Sequence, residues 1–341
     1  MPLIFDNILS GKTLAEAHSV CSFSDPSIAL DAGYVQVTRL NGHGSALLVI
    51  PDGKTPFEAY NPIPGPHRSG SKPMLFEDLT PRSMTFEGFY EWMVASAAYQ
   101  QNEWKHVDPW NPASSIVLKP GEERTVGLRI VVAPSIRGIE KTLVDNHRPV
   151  AIGIPGYILP QDIEASLFLI YPKAVKQMDV KPAGAIDIRP AGATEHGWRR
   201  YVVHGKQWGR ARLTITYTDG LKETVQYRVI KPESTAVDDM GLFLFSKQWF
   251  DDKGDPFHRA PSVISYDRQA DAQITQDSRV WIAGLSDEAG AGSWLAAAMK
   301  EYGRPDKQQV EQVEQFVDGV LWGGLQFKDG PKKYGVRKSL F

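Results

Sequence analysis

The stretch "TITYTDGLKETVQYRV", Thr214 to Val229, decides the fold. On both sides of Thr218-Asp219-Gly220, apolar residues alternate with threonine and other polar side chains. A period of two puts one strand face on a core and the other in water. Asp-Gly supplies the turn chemistry for a chain reversal, so the segment predicts a β-hairpin.

Outward from this hairpin, "EASLFLIYP", "IDIRP", "RRYVVHG", "GRARLTITYTDG" and "KETVQYRVI" follow one another with the spacing of short strands. They predict an Ig-like β-sandwich over residues 151–232. Residues 1–150 have a β texture too, with "YVQVTRL" (Tyr34 to Leu40), "SALLVIP" (Ser45 to Pro51) and "TVGLRIVVA" (Thr125 to Ala133) between Gly, Pro and Asn turns. This reads as a first β-sandwich. In "SIVLKPGEERTVGLRI", Pro120-Gly121 predicts a type II turn joining two strands. "GFYEWMVASAAYQQNEW" (Gly88 to Trp104) fits either a helix or a strand pair, and "IRGIEKTLVDNHRP" predicts a short helix with Ile139, Leu143 and Val144 on one face.

From about residue 233 the period becomes helical. "AVDDMGLFLFSKQWF" predicts a helix, and in "GSWLAAAMKEYG" Trp294, Leu295, Ala298, Met299 and Tyr302 share a face that Gly303 ends. Pro305 and Asp306 open a further helix, whose Val310, Val313, Phe316, Val317, Val320 and Leu321 form an apolar stripe. That stripe needs a cover, which predicts self-association unless the sandwiches supply one. The fold class is therefore multidomain, mainly β followed by α. The ending "KKYGVRKSLF" carries no terminal cap, so the chain reads as an internal fragment whose helical part is the start of a larger domain.

Composition narrows the partners. The chain has 341 residues, 42% hydrophobic and 23% charged, with a formal net charge of −2. That balance argues for no nucleic-acid partner and no anionic membrane, and no apolar run approaches the roughly 18 residues of a membrane span. Cys21 stands alone, so an intrachain disulfide is excluded. "MPLIFDNILSGKTLAEAHSV" has no basic region followed by an apolar one, so no signal peptide is visible. The histidines are dispersed without metal-ligand spacing, and phosphate-loop, dinucleotide and nucleophile-elbow motifs are missing, so no cofactor or metal is expected.

Candidate chemistry lies in "WIAGLSDEAGAGSWLAAAMKEYG", Trp281 to Gly303. Asp287 and Glu288 suit the first turn of a helix capped by Ser286. Gly290 and Gly292, however, would each cost about 0.8–1 kcal/mol inside a helix, which predicts a helix start near Ser293 and a glycine-rich loop carrying both carboxylates. Trp281, Trp294 and Trp322 surround that loop in sequence, and indole faces stack on sugars as readily as they fill cores.

The order of two β modules and then helices, with "SRVWIAGLSDEAGAGSWLAAAMKEYG" and "LWGGLQ…KKYGVRKSLF", resembles large fungal and bacterial proteins of the six-hairpin glycosidase-like kind, grouped as a domain of unknown function. The resemblance implies a β-supersandwich followed by an (α/α)6 toroid, an extracellular setting and action on a poly- or oligosaccharide. It makes this chain a partial, by itself inactive, glycoside hydrolase-like protein. Asp287 or Glu288 would then be an acid or base; at most one serves, because a hydrolytic pair stands about 5–5.5 Å or about 6.5–9.5 Å apart across the bond. Trp281 and Trp294, with Tyr334 and Arg337, would contact substrate. Two other readings stand beside it: a non-catalytic carbohydrate-binding or scaffolding protein, and a polysaccharide lyase-like protein. The lyase needs a Tyr or His base and a cation to neutralise a uronate, residue types found in "EHGWRRY" (Glu195 to Tyr201) and "YGVRK" (Tyr334 to Lys338).

Overall fold

The computed structural model describes residues 2–3, 13–63, 89–102, 104–106, 108–256, 258–267, 270–275 and 290–335. The chain divides into two compact units, Met1–Ile230 and Lys231–Phe341.

The first unit begins with β1 (Pro2–Leu3), α1 (Leu14–Val20), β2 (Ser22–Ser27), β3 (Tyr34–Arg39), β4 (Ala46–Asp52), β5 (Ala59–Ile63) and β6 (Phe89–Met93). A short helix α2 (Ala97–Gln101) precedes β7 (Gly127–Ala133) and α3 (Ile139–Asp145). The segment 88–104 therefore holds one strand and one helical turn. One sheet has the order β2-β3-β4-β7 and a smaller one β1-β6-β5.

Strand β4 is apolar on both sides because one face of its sheet is covered along its length and the other around Val49, while Leu47 and its β7 neighbours Ile130 and Val132 stay exposed. Ala46, Leu48 and Ile50 pack with Ile139 and Leu143 of α3, while Val49 joins Val35, Val37, Phe57 and Trp92 on the other face. Phe57 and Trp92 stack at 3.9 Å.

The run Ile116 to Leu118 departs from the expected hairpin. Its turn forms, with Glu122 N donating to Lys119 O and Gly121 at φ 82°, but residues 115–118 join no described strand. Turn geometry is local, whereas a ladder partner has to be supplied by the rest of the fold. Val117 accordingly lies exposed.

Next come β8 (Val150–Ile154), β9 (Ile158–Pro160), β10 (Glu164–Ile170), β11 (Val175–Lys181), β12 (Ile186–Ala193), β13 (Arg199–Gly205), β14 (Gly209–Tyr217) and β15 (Lys222–Ile230). They build two four-stranded sheets, β12-β13-β10-β8 and β11-β14-β15-β9. The hairpin expected over Thr214 to Val229 is β14–β15, paired from Gly209↔Val229 to Thr216↔Lys222, with Gly220 at φ 84° in its turn. The two sheets share one core. Leu167 and Leu169 of β10 and Val203 of β13 meet Leu213, Ile215 and Tyr217 of β14 and Val225, Tyr227 and Val229 of β15.

In the second unit, α4 (Glu233–Leu242) runs into a π-helical turn (Phe243–Lys247). Helices α5 (Gly290–Gly303) and α6 (Lys307–Phe316) follow, the latter continuing as a π-helical stretch to Leu325. Helix α5 starts at Gly290, three residues before the expected position. In a first turn the N–H groups have no intrahelical partners, so glycine is tolerated there better than in a helix interior. Asp306 caps α6 by accepting from Gln309 N at 3.1 Å. Phe316 and Val320 of the apolar stripe are buried against Trp294, Ala297, Leu244 and Phe245, so the unit covers this part of the stripe itself, while Val317 stays exposed.

The expected (α/α)6 toroid is corrected here. The described helical unit is three α-helices and short strand pairs around one core, with no toroid among the described residues. What stands is the coarser order, mainly β-sheet followed by α-helix.

Leu213 has no solvent exposure at the centre of the shared core. Leu213→Ala is expected to lower stability by about 2–5 kcal/mol through lost burial plus the cavity left behind. Urea unfolding of both proteins, at unchanged m, checks this.

Candidate functional site

Four of the six sequence-derived site residues, Trp281, Asp287, Glu288 and Arg337, lie outside the described residues. Trp294 is placed in the helical core, 8% exposed and stacked face to face on Phe316. Tyr334 sits on the surface, 62% exposed, with a φ of 67°. A non-glycine residue in that region is uncommon and is held there by its surroundings. Here its N–H donates to Phe327 O at 2.7 Å, Gln326 Nε2 donates to its carbonyl, and Lys333 Nζ lies 5.0 Å from its ring centre.

The segment Glu195 to Tyr201 spreads its groups apart. His196 and Glu195 are exposed and lie 3.4 Å apart, Arg199 donates to Lys173 O, and Arg200 donates to the Ser166 hydroxyl. These are contacts of a strand and its turn, and they assemble no base beside a free cation.

The helical unit has a cleft between α4, α5 and α6 lined by Asp238, Lys300, Arg304, Asp306 and Gln309. Arg304 grips Asp238 through two bonds, 2.8 and 2.7 Å, and those bonds hold the exposed carboxyl below its ordinary range. Lys300 Nζ reaches Gln309 Oε1 at 2.7 Å and Glu301 Oε1 at 3.0 Å. A Cβ at position 241 would lie 2.7 Å from Lys300 Cε, so Gly241 is what lets the lysine stem cross α4. With its charges paired in this way, the cleft offers hydrogen bonds to a polar ligand and a brace between three helices. Of its two lining aspartates, Asp238 is ion-paired and Asp306 spends Oδ1 on capping α6.

Titratable groups are also buried in the first unit. Glu223 accepts a 2.6 Å hydrogen bond from the Tyr217 hydroxyl. Burial pushes the Glu223 carboxyl up to about 7, against the opposing pull of that bond. Nearby, burial likewise raises Asp31, whose carboxylate accepts from Lys222 N at 2.9 Å.

A third cluster lies on the outer face of β14–β15, opposite the core. Trp208 and Trp110 are both well exposed, and the guanidiniums of Arg228 and Arg210 lie over them at 5.9 and 5.1 Å. Residue types alone had not singled out Trp208, Arg210 or Arg228. The signal was available in "WGRARL", where Arg210 and Arg212 alternate with the inward Ala211 and Leu213.

A family model covers the chain from residue 1 to residue 341, that of a family of unknown function, DUF5695. The chain belongs to this family. A comparison with curated proteins found no match. Among solved structures the DUF5695 chain is similar to a polysaccharide lyase, with a TM-score of 0.62 at 14% identity over 93% of this chain. It spans 42% of the length of that lyase. At this identity the likeness is one of fold.

These findings correct the six-hairpin glycosidase-like resemblance and the glycoside hydrolase function that it implied. The matching family carries no assigned function, and the matching fold is that of a lyase. An order of β-rich region and then helices does not by itself fix a chemistry, because one architecture can host unrelated functions.

A pH dependence follows from Glu223. Its folded-state pKa of about 7 stands above the ordinary 4.5, so the native state keeps a proton that the unfolded chain has released. The stability from this group is complete below about 4.5 and is lost as pH rises through about 7. Urea midpoints should therefore fall between about pH 5 and about pH 8. Glu223→Gln is expected to flatten much of that slope; an unchanged slope in the variant would assign it elsewhere.

Proposed function

We propose that the DUF5695 chain is part of a polysaccharide lyase-like protein acting on an acidic polysaccharide. The observation that carries this reading is the fold likeness to a polysaccharide lyase across 93% of the chain. In the same reading the paired sheets of residues 151–232 form an Ig-like sandwich behind a first β module of residues 1–150, with helices from 233. A polymeric substrate suits an extracellular setting.

Lyase chemistry on a uronate is an elimination. A base takes the proton from the carbon next to the carboxylate, a cation offsets the charge that develops there, and the bond from the neighbouring carbon to the bridging oxygen breaks. The leaving oxygen takes up a proton, and the product sugar has a carbon–carbon double bond conjugated with its carboxylate. No water is consumed, which separates this reaction from hydrolysis.

In this chain we assign the base to Tyr334, with Arg337 to meet the uronate carboxylate. Support for Tyr334 comes from its exposure, its fixed left-handed backbone and the cationic Lys333 beside its ring. Trp281, Asp287 and Glu288 fit sugar contact in this reading, through stacking and through hydrogen bonds to hydroxyls.

The test is to incubate the chain with polygalacturonate, alginate and chondroitin and to follow the ultraviolet absorbance of the unsaturated product together with new reducing ends. Both should rise in step. Tyr334→Phe should lower the rate at least about a hundredfold, the scale of general base catalysis, with the far-ultraviolet circular dichroism unchanged. Reducing ends without ultraviolet absorbance would mean hydrolysis and end the lyase reading. An active Tyr334→Phe protein would remove Tyr334 as the base.

A further inference from the structure

The outer face of the β11-β14-β15 sheet carries charges that its own fold does not neutralise. On β14 the inward residues are Ala211, Leu213, Ile215 and Tyr217, so Arg210 and Arg212 face outward. Register places Arg210 directly opposite Arg228 of β15, and Arg212 directly opposite Lys181 of β11. Two facing pairs of like charge thus stand side by side. Like charges opposite one another weaken a sheet.

Of the neighbouring acids, Asp179 shares this face with Lys181, accepts from Gln177 Nε2 and forms no ion pair among the described residues. Asp108 lies 3.8 Å from Arg210, and its side chain is mostly in water. Arg228 and Lys181 form no ion pair among the described residues. The Nε of Arg212 is buried without a hydrogen-bond partner.

Indole rings border the charges. Trp208 is 58% exposed and lies under Arg228, while Trp110 is 47% exposed and lies under Arg210. Core packing does not explain rings left this open to water. Trp110 is also held in place: its carbonyl accepts from Gln226 Nε2 at 2.7 Å and from Arg212 at 3.3 Å, and Arg210 donates to the carbonyls of Asp108 and Pro109. The strap that carries Trp110 is fastened to the strands that carry the arginines.

We infer that this face, with Trp110, Lys181, Trp208, Arg210, Arg212 and Arg228, is a binding surface for a polysaccharide bearing carboxylate groups. Guanidiniums take carboxylates through paired hydrogen bonds, and indoles take the apolar faces of sugar rings. A chain of net charge −2 that concentrates cations on one face is suited to an anionic polymer. The surface lies on the β unit, away in sequence from Tyr334 and the acidic loop, and it would hold polymer rather than cleave it. The inference takes only the polymer class from the lyase reading.

The two ideas separate experimentally. Affinity electrophoresis of the whole chain is run through gels containing polygalacturonate, dextran sulfate or neutral dextran, with a single-stranded oligonucleotide as a fourth arm. Polygalacturonate should retard the native protein, and neutral dextran should not. Trp208→Ala and Arg228→Gln should each weaken polygalacturonate binding by at least about tenfold, equivalent to about 1.4 kcal/mol, while Arg228→Lys recovers part of the loss. Both substituted side chains are exposed, and an unchanged melting curve shows that the fold is kept.

Absence of retardation by polygalacturonate overturns the inference. So does tighter binding of the oligonucleotide, or binding of dextran sulfate and polygalacturonate alike with Trp208→Ala silent, since either outcome reduces the face to diffuse positive charge. Retardation that depends on Trp208 in a protein without elimination activity would sink the lyase reading and leave the surface standing. Elimination with binding indifferent to both substitutions would do the reverse.

Discussion

Asn111 lies where three stretches of the first unit meet, and its amide bonds to all of them. Its Nδ2 is within reach of the carbonyls of Ile28, Phe57 and Glu58, and its Oδ1 accepts from the Thr224 hydroxyl at 2.6 Å. The residue is 1% exposed, so without it buried groups such as the Thr224 hydroxyl would lose this partner, at about 1–3 kcal/mol for each one left unsatisfied. Glu58 continues the junction by accepting from the backbone and hydroxyl of Ser96 and of Ser114. A buried carboxylate is tolerated when hydrogen-bond donors surround it in this way. Together these bonds fasten the segment between Ser96 and Ser114 to β15 and fix where Trp110 emerges.

The same logic ties the β2-β3-β4-β7 sheet to the paired sheets. Leu30 bridges both Phe57 and Glu223, and Asp31 exchanges backbone and side-chain bonds with Lys222. Arg148 adds a bond to the Asp31 carbonyl. These contacts surround the buried Glu223–Tyr217 pair, so the titrating acid sits at the joint between two layers. Its protonation is therefore coupled to how firmly the layers hold, and no role in turnover is needed to explain its shifted pKa.

How much the sequence disclosed varied with the range of the interactions involved. The β14–β15 hairpin was legible because alternation and an Asp-Gly turn agree over a short span. The strand expected at residues 115–118 failed because only its turn was encoded locally. Helix α5 begins earlier than its glycines suggest because the interior cost of glycine does not apply in the first turn, where Gly290 lies. Asn111 gave no signal at all, since its partners lie 53 to 113 residues away in sequence. The cationic face was half legible: alternation put Arg210 and Arg212 on one side, but their opposition to Arg228 and Lys181 exists only once register is fixed. Trp294 shows the limit of reading residue types, since the ring that could stack on a sugar stacks on Phe316 instead.

Register also explains why that face can exist without breaking the sheet. The inward residues opposite it, Leu213, Ile215, Val225 and Val229, are almost fully buried, and burying such side chains is worth about 1.5–3 kcal/mol each. Repulsion between partly solvated guanidiniums in water is smaller than this, because a high dielectric weakens it to about 1 kcal/mol at close range. The core therefore sets the register, and the arginines must accept the neighbours it gives them. Trp110 and Trp208 lower the remaining cost by offering the guanidiniums the negative faces of their rings. An anionic polymer would lower it further, so the polar face gains most from a ligand at the place where the apolar face has left it least satisfied.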